Sequence, residues 1–144
     1  MRASTLRTAV QSLCLAAALH ALTATAATQT LFDQIGGEKV LRSAVDQFVV
    51  IMLDDSRINF AFAGTNLDKF KFQLYSQLCA LSAGPCEYHG RDMHTAHEGL
   101  KIDNAQFNAL TEDLYQALDR AGVRYRVQNK LIALLAPMQK DIVK

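Results

Sequence analysis

From Glu38 to Val143 the apolar residues of this chain recur at steps of three and four, and no stretch alternates with a period of two. Such spacing gathers them on one face of a helix, so the chain has to pack several amphipathic helices against one another. Leu31-Phe32-Asp33-Gln34-Ile35 reads as one short helical turn, stopped by Gly36-Gly37, a pair that permits a tight change of direction. A helix follows from Glu38 to Leu53 with Leu41, Val45, Phe48, Val49 and Met52 on its apolar face. Asp54-Asp55-Ser56 breaks it, and Phe60-Ala61-Phe62-Ala63-Gly64 makes a short aromatic connection. Thr65-Asn66-Leu67-Asp68 resembles a capping box for a second long helix, running to about Ala83 with Leu67, Phe70, Leu74 and Leu78 aligned.

Gly84 and Pro85 end that helix. Met93 to Glu98 forms a short helix with Gly99 as its left-handed stop. Asp103, with Gln106 three residues on, caps a third long helix from about Asn104 to Ala121. Its inward positions are Phe107, Leu110, Leu114, Ala117, Leu118 and Ala121, and Gly122 terminates it. The last helix spans about Arg124 to Val143 through Val127, Leu131, Leu134, Leu135, Met138 and Ile142, with a kink expected at Pro137. The fold class is all-α, four long helices plus short ones.

The N-terminus has another character. Arg2 and Arg7 form a basic start, Ala9 to Leu22 is rich in Ala and Leu, and Ala24-Thr25-Ala26 fits a small-x-small cleavage site. That is the layout of a secretory signal peptide over residues 1–26, ahead of one domain over residues 27–144. The competing reading is an uncleaved anchor, for which the segment is short and weakly apolar. Cys14 follows Gln11-Ser12-Leu13 rather than small residues, which argues against a lipoprotein anchor. Export makes the bacterial periplasm the expected location and leaves no membrane contact after cleavage. In an oxidising compartment Cys79 and Cys86 are expected to pair across the loop through Gly84-Pro85. The alternative is two unrelated thiols. Their spacing is not CxxC, so a thioredoxin-like role has no support.

A net charge of +1, with Lys and Arg scattered, gives no footprint for nucleic acid. No serine or cysteine catalytic constellation and no Gly-rich phosphate loop stands out. Three of the four histidines, His89, His94 and His97, fall in the stretch from Tyr88 to Ile102. Taken alone, a histidine there is either a metal or haem-iron ligand or part of a solvated loop.

The ordered set decides between them. Leu31-Phe32-Asp33-Gln34-Ile35-Gly36-Gly37, then Phe60-Ala61-Phe62-Ala63-Gly64-Thr65-Asn66, then Gly90-Arg91-Asp92-Met93 with Ala96-His97-Glu98-Gly99 and Ile102, resembles a truncated haemoglobin of group I, the N-type. The resemblance covers nearly all of residues 31–143. It implies a two-over-two helical sandwich around a b-type haem, with His97 as the proximal iron ligand. A neutral imidazole suits that role, and a flanking carbonyl can fix its tautomer. Phe62 matches the phenylalanine that stacks on the haem edge. Met93, Ile102, Phe107 and Leu135 match positions lining the proximal side or rim. Thr65, Lys69 and Arg91 fall near where the propionates emerge, where a basic side chain would pair with a carboxylate.

The distal pocket, Phe48, Val49, Phe70, Gln73 and Leu74, departs from the family. Group I members commonly carry a tyrosine directly after the B-helix phenylalanine, to hydrogen-bond bound oxygen; here Val49 follows Phe48. Phe70 and Leu74, at the two positions facing the ligand, are apolar too. Gln73 stands where some relatives place a histidine or lysine that binds iron, and glutamine rarely does so. A five-coordinate ferrous iron is expected, unless Gln73 or Tyr75 swings inward. A charge-assisted hydrogen bond is worth roughly 1.5–3 kcal/mol, so its loss costs about ten- to over a hundred-fold in oxygen retention. The pocket is expected to favour CO and NO, relative to O2, more than a tyrosine-bearing relative does.

The leading expectation is a periplasmic haem protein that binds O2, CO or NO reversibly, as carrier, sensor or scavenger, and is a monomer or weak dimer. No catalytic residue is assigned. One alternative is a nitric oxide dioxygenase, which needs an outside electron source and redox partner. Another is a haem-free zinc or copper protein using His89, His94 and His97 with Glu87 or Asp92, although H-x4-H-x2-H is no recognised zinc pattern. His89 and His94 otherwise read as solvated, His94 possessing the option of a nearby propionate.

Overall fold

The computed structural model describes residues 28–144; the segment expected to be a signal peptide, with Cys14 and His20, lies outside the described residues. The elements are α1 (Leu31–Ile35), α2 (Gly37–Asp54), α3 (Leu67–Leu81), α4 (Met93–His97), α5 (Asn104–Arg120), α6 (Tyr125–Leu135) and α7 (Gln139–Ile142). Among the described residues there is no strand, as the apolar spacing requires. α2 packs on both α5 and α3, and α6 packs on α5, α1 and α3. This gives the expected sandwich, two helices laid over two. Leu41, Val45, Phe48, Val49 and Met52 of α2 are all buried, as are Leu78 of α3, Leu118 of α5 and Leu131 of α6.

Caps set the boundaries. Thr30 opens α1 through a reciprocal box with Asp33, and Asp103 opens α5 through the expected box with Gln106. α3 is capped otherwise than expected: Asn66 alone accepts the Lys69 N–H, because the third helical residue is a lysine with no acceptor to return. Gly36 takes φ 113° as it ends α1 and opens α2, and a Cβ there would fall 2.6 Å from Val40 Cγ2.

Two expectations need correction, at Pro137 and Leu134, and one connection gains detail. The connection at Phe60–Gly64 is partly ordered as a 3₁₀ turn, Asn59–Phe62. Pro137 does more than kink the last helix: Ala136–Met138 is a 3₁₀ turn that separates α6 from α7, since proline supplies no N–H for the helical ladder. Leu134, expected inward, is 40% exposed, because the buried stripe of α6 runs through Val127, Gln128 and Leu131.

Among the described residues, no helix is long and apolar enough to cross a membrane. The chain pairs Cys79, at the end of α3, with Cys86 in the next loop, Cα to Cα 5.7 Å. Gly84 lets that loop close: a Cβ there would meet Cys79 Sγ and Phe32 Cδ2, each at 2.7 Å. The end of α3 also docks on α1, where the Phe32 N–H donates to the Ser82 carbonyl at 2.8 Å.

Candidate haem site

His97 is the last residue of α4, a helix of five residues too short to persist alone. Asp92 starts it, its carboxylate accepting both the backbone N–H and the hydroxyl of Thr95 at 2.8 Å. Those two hydrogen bonds, the backbone one foremost, hold the Asp92 carboxyl below the usual carboxylate range. The Tyr88 hydroxyl donates to the Arg91 carbonyl at 2.8 Å, tying down the approach. From the far side α7 packs on α4, and the Lys144 N–H donates to the Ile102 carbonyl at 3.0 Å.

The orientation of His97 follows from this short helix. Its Nδ1 lies 2.8 Å from the Met93 carbonyl oxygen. A carbonyl only accepts, so Nδ1 carries a proton, and in the neutral tautomer the lone pair then sits on Nε2. Half-buried, His97 has Nε2 as its unengaged ring nitrogen.

The apolar residues expected to surround the cofactor share one state of burial. Phe62, Phe70, Leu74 and Leu135 pack against the core on one side while remaining only partly buried. Met93, Ile102 and Phe107 are partly buried as well. Phe62 and Phe70 meet edge to face, ring centroids 5.3 Å apart. The structure thus distributes the expected set over two walls, α2 and α3 with Phe62 against α4, α5 and α6. Behind the first wall Phe48 and Val49 are fully packed, each 3% exposed. Gln73 is half-buried between Phe70 and Leu74. Thr65, Lys69 and Arg91 are exposed, with Arg91 Nη1 3.5 Å from the Thr95 carbonyl oxygen.

Tyr75 is not free to swing toward this region. It is buried, the Arg42 guanidinium covers its ring at 3.9 Å, and its hydroxyl lies 3.8 Å from Cys86 Sγ. Of the other described histidines, His89 Nε2 lies 3.2 Å from a Glu87 carboxylate oxygen, both side chains exposed, and His94 Nδ1 lies 3.2 Å from Lys144 Nζ. Among the described residues, no group of three or more His, Cys, Asp or Glu side chains is disposed to hold a metal ion. The three-histidine zinc or copper site is therefore not assembled.

Sequence reasoning had not found Asp92 as the cap of the histidine helix, although Asp92 three residues before Thr95 is the usual capping signal. It also missed Gln77, whose Nε2 lies 3.4 Å from Met93 Sδ and 3.8 Å from Met138 Sδ. These three line a concavity of about 440 Å³ beside α4, together with Tyr88 and Asp92.

The residues present fit a haem. One imidazole offers an unengaged ring nitrogen, and apolar side chains packed on one side only would bury their other side against a flat porphyrin. The arrangement is compatible with a helical haem-binding protein. The chain belongs to the bacterial-like globin family, whose model matches residues 30–144, and within it to the truncated, group 1 type. It is 32% identical over 115 residues to the group 1 truncated hemoglobin of Tetrahymena pyriformis, covering 80% of this chain and 95% of that one. A group 1 truncated hemoglobin of Mycolicibacterium paratuberculosis is 30% identical over 113 residues, 78% of this chain and 83% of that one. The crystal structure of the Tetrahymena pyriformis protein in its Fe(III) form superposes with a TM-score of 0.77, covering 80% of this chain and 98% of that chain. The 2/2 hemoglobin of a Synechococcus species, at 23% identity and TM-score 0.74, shares the fold, covering 80% of this chain and 98% of that chain.

Proposed function

We propose that this chain is an exported haemoglobin that binds a diatomic gas, O2, CO or NO, reversibly. The observation that carries the reading is the His97 imidazole, its Nδ1 held by the Met93 carbonyl and its Nε2 free beside half-buried apolar side chains. A bound haem b supplies the iron at which such a gas is held. His97 would be its protein ligand, and the Met93 carbonyl keeps the imidazole aligned, with the Nδ1–H turned toward it. Phe62, Phe70, Leu74, Ile102, Phe107 and Leu135 would exclude water from the ring. Lys69, Arg91 and Thr65 would meet its carboxylates at the solvent edge. On the distal side Val49, Phe70 and Leu74 donate no hydrogen bond, and Tyr75 is engaged elsewhere. That composition supports CO and NO retention over O2, with scavenging or sensing of those gases favoured over oxygen transport.

The basic, Ala/Leu-rich start with Ala24-Thr25-Ala26 and the Cys79–Cys86 pair support export and a disulfide in the periplasm. The test is an absorption spectrum of the chain from residue 27, supplied with haem, in ferric and ferrous states before and after CO. A Soret band that moves with CO, and is altered in His97→Ala, is the expected result. A wild type without a Soret band overturns the reading. Mass spectrometry of periplasmic material from a Gram-negative host checks export, cleavage after Ala26 being the expected outcome.

A further inference from the structure

A second concavity, about 540 Å³, lies between the C-terminal end of α2 and the outer half of α5, and none of the haem-site residues lines it. Its floor holds Asp113, which is 1% exposed and whose Oδ2 has no hydrogen-bond partner. A buried carboxylate without partners is costly to keep, and native chains seldom keep one unused. Arg57 is the nearest available cation, but it is committed: Nη2 pairs with Asp55 and Nη1 with Glu112, both at 2.8 Å. With Asp55, Glu112 and Asp113 set against that one arginine, the floor is short of positive charge. Burial pushes the Asp113 carboxyl above its ordinary range, Asp55 adding to the shift.

At the other end of the cleft Arg120 has no ion-pair partner among the described residues. It stands seven residues beyond Asp113 on α5, two turns or about 10 Å along the axis. The α2 side of the cleft includes aliphatic surface, Val50 being 61% and Leu53 38% exposed, and Gln116 stands between Asp113 and Arg120 on α5. Among the described residues the carboxylates here do not form a group of three or more placed to hold a metal ion. The cleft thus brings together a buried acceptor, aliphatic surface and an unpaired guanidinium.

We propose that this cleft binds a small zwitterion with a short aliphatic spacer, such as a basic or ω-amino acid, its cationic nitrogen on Asp113 and its carboxylate on Arg120. A charged donor would satisfy the orphaned Oδ2, the methylenes would cover Val50 and Leu53, and the carboxylate would pair with Arg120. The inference stands apart from the gas-binding reading, because the two sites share no residue.

The experiment is a titration of the ¹⁵N-labelled, haem-loaded chain with 6-aminohexanoate, followed by amide shifts, with pentylamine and hexanoate as half-ligands. Saturable shifts at Ile51, Asp55 and the amides from Asp113 to Arg120 are expected with 6-aminohexanoate, and none with hexanoate at the same concentration. Asp113→Asn is expected to weaken binding at least tenfold. Arg120→Gln, at an exposed position that leaves the core intact, is expected to weaken 6-aminohexanoate several-fold without changing pentylamine. Absence of saturable shifts in the wild type, or equal binding by wild type and both variants, overturns the proposal.

Discussion

The distal and proximal walls of the proposed haem site are built by different forces. Val49 belongs to α2, an eighteen-residue helix with seven buried positions. His97 belongs to α4, a five-residue helix with no buried residue. The distal wall is fixed by packing, so changing it means changing core volume. The proximal wall is fixed by a cap, a carbonyl, the clasp between Lys144 and Ile102 and the Cys79–Cys86 pair. Each of those is local and can be removed singly. A ligand that must hold iron at one angle thus depends on hydrogen bonds, while the gas-facing surface depends on apolar fit.

The largest effect tests the proximal side. His97→Ala removes the single nitrogen offered by this wall, and the histidine-ligated spectrum is expected to be lost and then restored by added imidazole. A variant with an unchanged ferrous CO spectrum would break the contrast, because the iron ligand would have to lie elsewhere. Val49→Tyr tests the distal wall. Restoring a hydroxyl there is expected to slow O2 release about ten- to over a hundredfold, the worth of a charge-assisted hydrogen bond, with a smaller change for CO. Val49 is 3% exposed, so the added ring must displace its neighbours, and overpacking costs about 1–3 kcal/mol of stability. Equal O2 release rates in the two proteins would show that dry packing, not the absent donor, sets retention.

The same division explains what the sequence disclosed. The α2 stripe was legible because burial on a long helix leaves a periodic trace, and every position read from Leu41 to Met52 is buried. The short helix that carries His97 was legible through Met93 and the Gly99 stop. The setting of His97 was not, since the Met93 carbonyl carries no side-chain signature. Tyr75 read as able to turn inward because Arg42, which covers it, sits on another helix. Leu134 was misplaced because position 135 continues the buried face and the 3₁₀ turn at Ala136 cuts the pattern short. Asp113 drew no notice: an aspartate on an amphipathic helix reads as solvent-facing until its neighbours are known.

A third test probes the covalent link on the proximal side. Cys86→Ser, at the half-buried end of the pair, is expected to lower stability by about 2–3 kcal/mol, from the entropy of closing a short loop. Dithiothreitol should bring the wild type to the variant's Tm and leave the variant unmoved. Because the loop leads into α4, haem loss should quicken in the same variant. A wild type whose Tm ignores the reductant would mean that the pair adds nothing to holding α3 against that loop.

The smallest expected effect sets two carboxylates in opposition. Hydrogen bonds from Thr95 hold Asp92 below its usual value of 3.8, so the folded chain releases its proton more readily than the unfolded one. Its contribution is therefore full above that value and is lost as pH falls through the folded pKa. Burial holds Asp113 above the same 3.8, so the folded chain keeps the proton longer, and stability falls as pH rises from there through the raised value. Asp92→Ala is thus expected to lower the urea midpoint at pH 7, with the deficit shrinking below about pH 4. Asp113→Asn is expected to raise the midpoint at pH 7, with the gain shrinking as pH falls toward 4. Midpoints of both variants and the wild type at several pH values, compared in the haem-free chain so that protonation of His97 does not enter through haem release, decide the matter. Parallel profiles for the two variants would mean that one carboxylate is not in the environment described. Opposite slopes would show that the capped proximal wall gains from a charge while the packed α2–α5 interface is destabilised by one.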